Sequence, residues 1–156
     1  MQQHNIELPD EARVSLAALV SRMHEKQAEG GVSFPEMVRN LFKDMDTPAA
    51  SLHHAATGIA GEGGEILDVS KKTWVYGKPL DAQNLIEELS DLQFYIQVIL
   101  NQLGLTLEHV IAYNMNKLVF GENARFPDGA YSDVAAIARA DKVAEGETQS
   151  SGVAAE

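Results

Sequence analysis

Residues 81–104 read DAQNLIEELSDLQFYIQVILNQLG, and this stretch decides the fold. Leu85, Leu89, Leu92, Ile96 and Ile99 recur at intervals of three and four, the period of one helix face. Asp81 suits an N-cap and Gly104 a terminator, so the spacing predicts a helix over about 82–103. Glu88 falls inside the apolar stripe, three residues after Leu85 and four before Leu92. Asp91 follows at i+3, about 60° round the helix. A carboxylate aimed at a core must be protonated, paired or bound to a cation, because burying it bare is too costly.

The same arrangement recurs upstream. Thr47 and Pro48 form an N-cap and N1 pair, opening a long helix to about Tyr76, where Gly77-Lys78-Pro79 breaks the chain. This helix carries Glu62 and Glu65 at i and i+3 among Ile59, Ile66 and Val69. It also carries GEGGE, residues 61–65, although each glycine weakens a helix interior by roughly 1 kcal/mol relative to alanine. On the helical wheel Gly58 and Gly61 flank the two glutamates, where missing side chains are expected to leave room for a ligand. Gly63 and Gly64 lie roughly 130° away and are expected to admit a neighbouring helix.

If the two helices pack antiparallel, Glu62 and Glu65 face Glu88 and Asp91. With 23 acidic residues in 156, chance alone supplies roughly three acid-x-x-acid pairs, so neither pair is informative by itself. Their joint placement on two consecutive apolar faces is what points to a metal. Four carboxylates this close need cations, and hard oxygen donors suit Mg²⁺, with Mn²⁺ as a substitute, better than Zn²⁺. His54 and Lys72 lie within about 50° of the Glu62/Glu65 face. Lys72 is therefore a candidate phosphate ligand and His54 a candidate contact to base or ribose. Asn84 and Tyr95 occupy the centre of the Glu88/Asp91 face. Trp74 is expected as a packing anchor at the helix end.

Elsewhere the pattern is also helical. Asp10 is read as the cap of a helix over about 11–28, with Val14, Leu16, Leu19, Val20 and Met23 as its apolar positions. A short helix after Pro35 carries Met37, Val38, Leu41 and Phe42. Thr106 caps a last strong helix to about Phe120, stopped by Gly121. No stretch alternates with period two, so no sheet of consequence is expected. The predicted fold is all-α: a four- to five-helix antiparallel bundle over residues 1–142, completed by oligomerisation, followed by a disordered tail over 143–156.

Twelve basic residues against 23 acidic ones leave a formal charge of −11. That field disfavours a nucleic-acid polymer as partner, yet tolerates a small phosphorylated ligand bridged by cations. Cysteine is absent, which removes disulfides and thiolate chemistry and is compatible with a reducing compartment. Neither a signal peptide nor an apolar run of about 20 residues is visible, so a soluble cytoplasmic protein without membrane contact is expected. A ferritin-like di-iron site needs Glu-x-x-His, and no glutamate here has histidine at i+3. No phosphate-binding G-x-x-x-x-G-K-[ST] loop is present either.

Glu62-Gly63-Gly64-Glu65, Glu88-Leu89-Ser90-Asp91, Asn114-Met115-Asn116-Lys117 and Arg125-Phe126-Pro127 together resemble the all-α NTP pyrophosphohydrolases of the MazG type. GIAGEGGEILD, IEELSDLQFYI and RFPDGAYSD are similar to the compact single-domain members, including phage-encoded ones. The resemblance covers about residues 50–142; Gly63-Gly64 departs from the alanine common between the two glutamates, and residues 1–46 show no match. It implies Mg²⁺-dependent hydrolysis of a nucleoside triphosphate between the α and β phosphates, in the host cytoplasm if the chain is phage-encoded. Glu62, Glu65, Glu88 and Asp91 are then implied as metal ligands. Lys117 and Arg125 are implied to hold phosphates, and Asn114 to contact the nucleotide. A homodimer or homotetramer is expected, with Arg139 and Asp141 reaching a neighbouring subunit's site. The reading leans to a purine nucleotide such as dGTP. The alternatives are a dUTP- or dCTP-specific pyrophosphatase and a catalytically silent helical regulatory module.

Overall fold

Helix capping sets most of the architecture. The computed structural model describes residues 8–43 and 45–142, so the expected tail over 143–156 lies outside it. In chain order the helices are α1 (Asp10–Ala28), α2 (Phe34–Leu41), α3 (Pro48–Trp74), α4 (Ala82–Leu103), α5 (Leu107–Met115), a π-helix (Asn116–Phe120) and α6 (Asp133–Ala138). Among the described residues every regular element is helical, and none is long and apolar enough to cross a membrane. Thr47, Asp81 and Thr106 each accept a hydrogen bond from the backbone N–H three residues on, satisfying an otherwise orphaned donor. Gly104 closes α4 at φ 65°, a conformation that favours glycine. Asp10 is not a cap: Pro9 precedes the helix, and Asp10 and Glu11 complement the dipole in its first turn.

The chain forms two compact units, divided between Gly104 and Leu105. In the first, α3 and α4 pack antiparallel along their lengths. Gly58 meets Tyr95 early in α3, and Glu62 meets Glu88 and Asp91 further along it. Val38 of α2, Ala55 of α3 and Val98 of α4 make the core, with Phe42, Phe94 and Tyr95 packed round it. Val98 lies seven residues beyond Asp91, about 10 Å along the axis, so the core sits one to two turns from the carboxylates. Gln97 is buried at 5% exposure. It donates to Asn101 (3.0 Å), which donates to the Pro35 carbonyl (2.9 Å), tying α2 to α4 through a satisfied polar relay.

Several expectations about faces change. Leu89 is 48% exposed, because it lies about 100° from Glu88, past the edge of the face that α3 covers. Trp74 is 88% exposed and is not a packing anchor; it lies about 120° round α3 from Glu62, off the seam. No residue of α1 is buried. Leu19, Val20 and Met23 form an apolar stripe that is about half exposed among the described residues.

The glycines also divide differently. A Cβ at Gly58 would lie 2.5 Å from the Tyr95 ring, so this glycine makes room for Tyr95 and not for a ligand. Among the described residues, nothing beyond the helix's own neighbouring backbone lies within 4 Å of a Cβ at Gly61, Gly63 or Gly64. Gly58→Ala is expected to lower stability by about 1–3 kcal/mol despite its better helix propensity, because the ring must be displaced. Gly61→Ala should instead be neutral or stabilising by up to ~1 kcal/mol. Urea unfolding of the two variants checks the contrast; equal effects would contradict the Tyr95 contact.

In the second unit, α5 passes into the π-helix, where the Gly121 N–H reaches the Asn116 carbonyl at 2.8 Å. The expected helix thus reaches Phe120 with its last turn widened. A Cβ at position 121 would come within 2.7 Å of that carbonyl, so the turn needs glycine. The chain then doubles back, with Arg125 and Phe126 N–H donating to the Lys117 and Leu118 carbonyls (3.1 and 2.7 Å). The last helix, α6, is a new element: Ser132 caps it by accepting from Ala135 N–H at 3.2 Å. Ser-Asp before an alanine-rich run carries that cap signal.

Candidate metal centre

Three carboxylates converge on the α3–α4 seam. Glu62 from α3 and Glu88 and Asp91 from α4 each present an oxygen, and these atoms all lie within 4.8 Å of one another. Glu62 and Glu88 are half-buried, whereas Asp91 is exposed and leaves one side open to a ligand. Glu65 is exposed and outside this triad. It lies about 60° off the Glu62 line, though its charge still acts on Glu88.

Asn84 fixes one member of the set. Its backbone N–H donates to the capping Asp81 carboxylate (3.1 Å), and its side-chain amide donates to Glu88 Oε1 (3.1 Å). The N-cap of α4 thereby orients an acid two turns into the helix. Partners of this kind, one step behind the ligands, typically matter about 10–100-fold in metal affinity. Asn84→Ala is expected to weaken Mn²⁺ binding by about that factor with helicity unchanged, as read by electron paramagnetic resonance titration. Unchanged affinity would remove Asn84 from the site.

Electrostatics mark Glu88 as the strained member. Burial first, then a shared hydrogen bond with Glu62 and the charges of Glu65, Glu62 and Glu87, push its carboxyl above the ordinary range. Only oxygen donors meet in the cluster, with no nitrogen or sulfur ligand among them. This donor set fits a hard divalent cation.

The remaining expected residues fall in different surroundings. Lys72 pairs with Asp68 at 2.8 Å on the exposed side of α3. Its hydrogen bond to Asp68 holds its charge most firmly, helped by the fields of Asp68 and, more weakly, Glu65. His54 packs between Phe42 (ring centroids 4.8 Å apart) and Tyr95 (6.2 Å). It lies about 12 Å along α3 from Glu62, and its buried Nδ1 has no hydrogen-bond partner among the described residues.

Asn114, Lys117 and Arg125 belong to the second unit. Asn114 is exposed, whereas Lys117 lines a cleft of about 210 Å³ with Asn116, Asn123 and Asp141. Arg125 is held bidentately by Asp141, Nε at 2.8 Å and Nη2 at 2.7 Å, and the Asp141 side chain is only 2% exposed. The Arg125 guanidinium holds the Asp141 carboxyl down at about 2. Arg139 lies 3.9 Å from the same carboxylate. Asp141 therefore serves its own chain, closing the second unit, a role that nothing in its local sequence discloses. No protein-family model, curated protein or solved structure matches the chain.

Proposed function

We propose that the chain is a nucleoside triphosphate pyrophosphohydrolase of the MazG-like all-α type. It would cleave between the α and β phosphates with Mg²⁺, or Mn²⁺ in its place, held by Glu62, Glu88 and Asp91 with Glu65 beside them. The convergence of three acids from two helices within 4.8 Å, one of them with a raised pKa, is the observation that carries this reading. A cation held by these carboxylates would supply charge neutralisation for the triphosphate and a lowered pKa for a water. In the proposed reaction a water oxygen would join the α phosphorus as the bond to the α–β bridging oxygen breaks and pyrophosphate leaves. A carboxylate of the set, or Glu87 nearby, takes the water's proton.

Within the first unit Lys72 is the candidate phosphate contact; within the second, the family resemblance assigns that role to Lys117 and to Arg125, whose guanidinium keeps N–H donors beyond the two that Asp141 engages. By the same resemblance Asn114 would contact the nucleotide, and in the first unit His54, whose buried Nδ1 has no hydrogen-bond partner among the described residues, is the candidate for a nucleoside contact. The apolar stripe of α1 and the exposed Leu52, Leu67 and Trp74 of α3 favour a second copy of the chain. That copy would complete an antiparallel helical bundle as a dimer or tetramer. Light scattering should then give at least twice the 17.0 kDa chain mass, and a monomer at micromolar concentration contradicts it.

A panel of eight common nucleotides with Mg²⁺ tests the reaction itself. Pyrophosphate from several of them, dGTP included, is the expected result. Turnover confined to dUTP or dCTP would redirect the reading to a pyrimidine-specific enzyme, and silence throughout to a regulatory module.

A further inference from the structure

The apolar positions of α3 and α4 do not all point into the seam between them. Glu62 and Glu88 mark the lines along which the two helices meet. Leu52, Gly63, Leu67 and Trp74 lie about 80–140° round α3 from that line. Leu85, Leu89, Ile96 and Leu103 lie about 60–100° round α4, in the same sense. Because the helices are antiparallel, the same sense of rotation means the same side of the two-helix layer. Glu65 and Asp91 lie about 60° from those lines in the opposite sense. The layer therefore has an apolar face on one side and the open edge of the carboxylate cluster on the other.

Leu52, Leu67 and Trp74 are 46%, 68% and 88% exposed, and Leu89 and Leu103 are 48% and 64% exposed. Together they present on the order of 600 Å² of apolar surface. That is the most a lone chain usually shows, and close to the ~800 Å² that each partner of a stable complex buries. Ala49, Ala56 and Ser70 are the other α3 residues in the arc, and neither arc holds a charged residue.

We propose that this face is where two copies of the chain meet, layer on layer, as a four-helix bundle whose carboxylate clusters open outward. Stacking the apolar faces of two-helix layers is an ordinary way to build such a bundle. Charge selects the face: two chains of −11 each repel unless the surfaces in contact are uncharged, as these are. Back-to-back pairing also keeps the two acid clusters on opposite sides of the bundle. A cleft of about 410 Å³ between Ile66, Trp74, Leu80 and Leu85 gives the partner's apolar side chains a seat. The inference rests on the second-copy part of the proposed function and not on hydrolysis. Each cluster stays reachable without a contribution from the partner.

Trp74 is the only tryptophan of the chain, so its fluorescence reports on this face alone. Light scattering and acrylamide quenching of the full chain over a dilution series test the proposal. Trp74 should be shielded several-fold in the dimer and become accessible as dilution gives monomer. Leu67→Glu and Leu89→Glu should each raise the dimer dissociation constant at least ~10²-fold, the cost of an unpaired charge in the interface. Both variants should keep the parent's helicity by circular dichroism and its Mn²⁺ affinity by electron paramagnetic resonance. Leu19→Glu, on α1, should keep the dimer. Four results would overturn the proposal: a monomer throughout, a dimer whose Trp74 quenches as readily as the monomer's, Trp74 shielded in a monomer, or dimers that survive both α3 and α4 substitutions. Dimers of the expected kind without nucleotide turnover would sink the hydrolysis and leave the interface standing.

Discussion

Replacing Glu88 by glutamine should make the metal-free protein more stable and abolish the proposed pyrophosphohydrolase activity. Glu88 is held against burial, a shared hydrogen bond with Glu62 and the charges of three other glutamates, all of which raise its pKa. A folded-state pKa above the unfolded value means that this group favours folding only while protonated. That contribution is complete below the ordinary carboxylate range and is lost as pH climbs through the raised value. At neutral pH the ionised group is therefore a liability without a cation and an asset with one. Glutamine keeps the shape and the Asn84 hydrogen bond but removes the charge. The expected pattern has three parts: a higher melting temperature without metal, no further rise with Mn²⁺, and at least ~10²-fold lower turnover. Wild-type turnover in Glu88→Gln, or the same Mn²⁺ shift as the parent, contradicts the site. Glu62→Gln and Asp91→Asn should lose activity to a similar extent.

The second large effect lies at Asp141. Asp141→Asn leaves the Arg125 guanidinium without its bidentate acceptor in a nearly closed environment. The loop that returns to the Lys117 and Leu118 carbonyls then loses its anchor. Faster exchange of the Arg125 and Phe126 amides is expected, while amides of α3 and α4 keep their rates. The pair also sets an acid limit. Because Asp141 is held down at about 2, its contribution is present above the ordinary carboxylate range. It is lost as pH falls from about 4 towards 2. Protection at Arg125 should collapse in that window in the wild type and be low throughout in the variant. Equal protection in both proteins would make the pair incidental.

How much of this was legible depended on whether a feature was local. Thr47, Asp81, Thr106 and Gly104 announce helix ends through their own chemistry and need no partner. The clustered acids were legible for a related reason: Glu62 and Glu88 interrupt apolar stripes, so any packing of those stripes turns them inward. Glu65 and Asp91 carry the same i, i+3 signal from the stripe's edge, and only Asp91 joins the triad. That outcome depends on which side of the seam the partner helix fills. Gly58 and Gly61 are equivalent on a wheel; the presence of Tyr95 opposite Gly58 separates them. Gln97 was hidden because hydropathy treats a glutamine as solvent-facing, although Asn101 and Pro35 satisfy it. Asp141 was hidden because its partner is sixteen residues away, with a turn and a helix between.

The proposed reaction cleaves the bond between the α phosphorus and the α–β bridging oxygen. Incubating the protein with α-³²P-labelled dGTP, with and without Mg²⁺, and separating the products tests it most directly. Metal-dependent appearance of labelled dGMP with stoichiometric pyrophosphate, absent in Glu88→Gln, is the expected result. Labelled dGDP with inorganic phosphate, or monophosphate formed equally by wild type and Glu88→Gln, would contradict it.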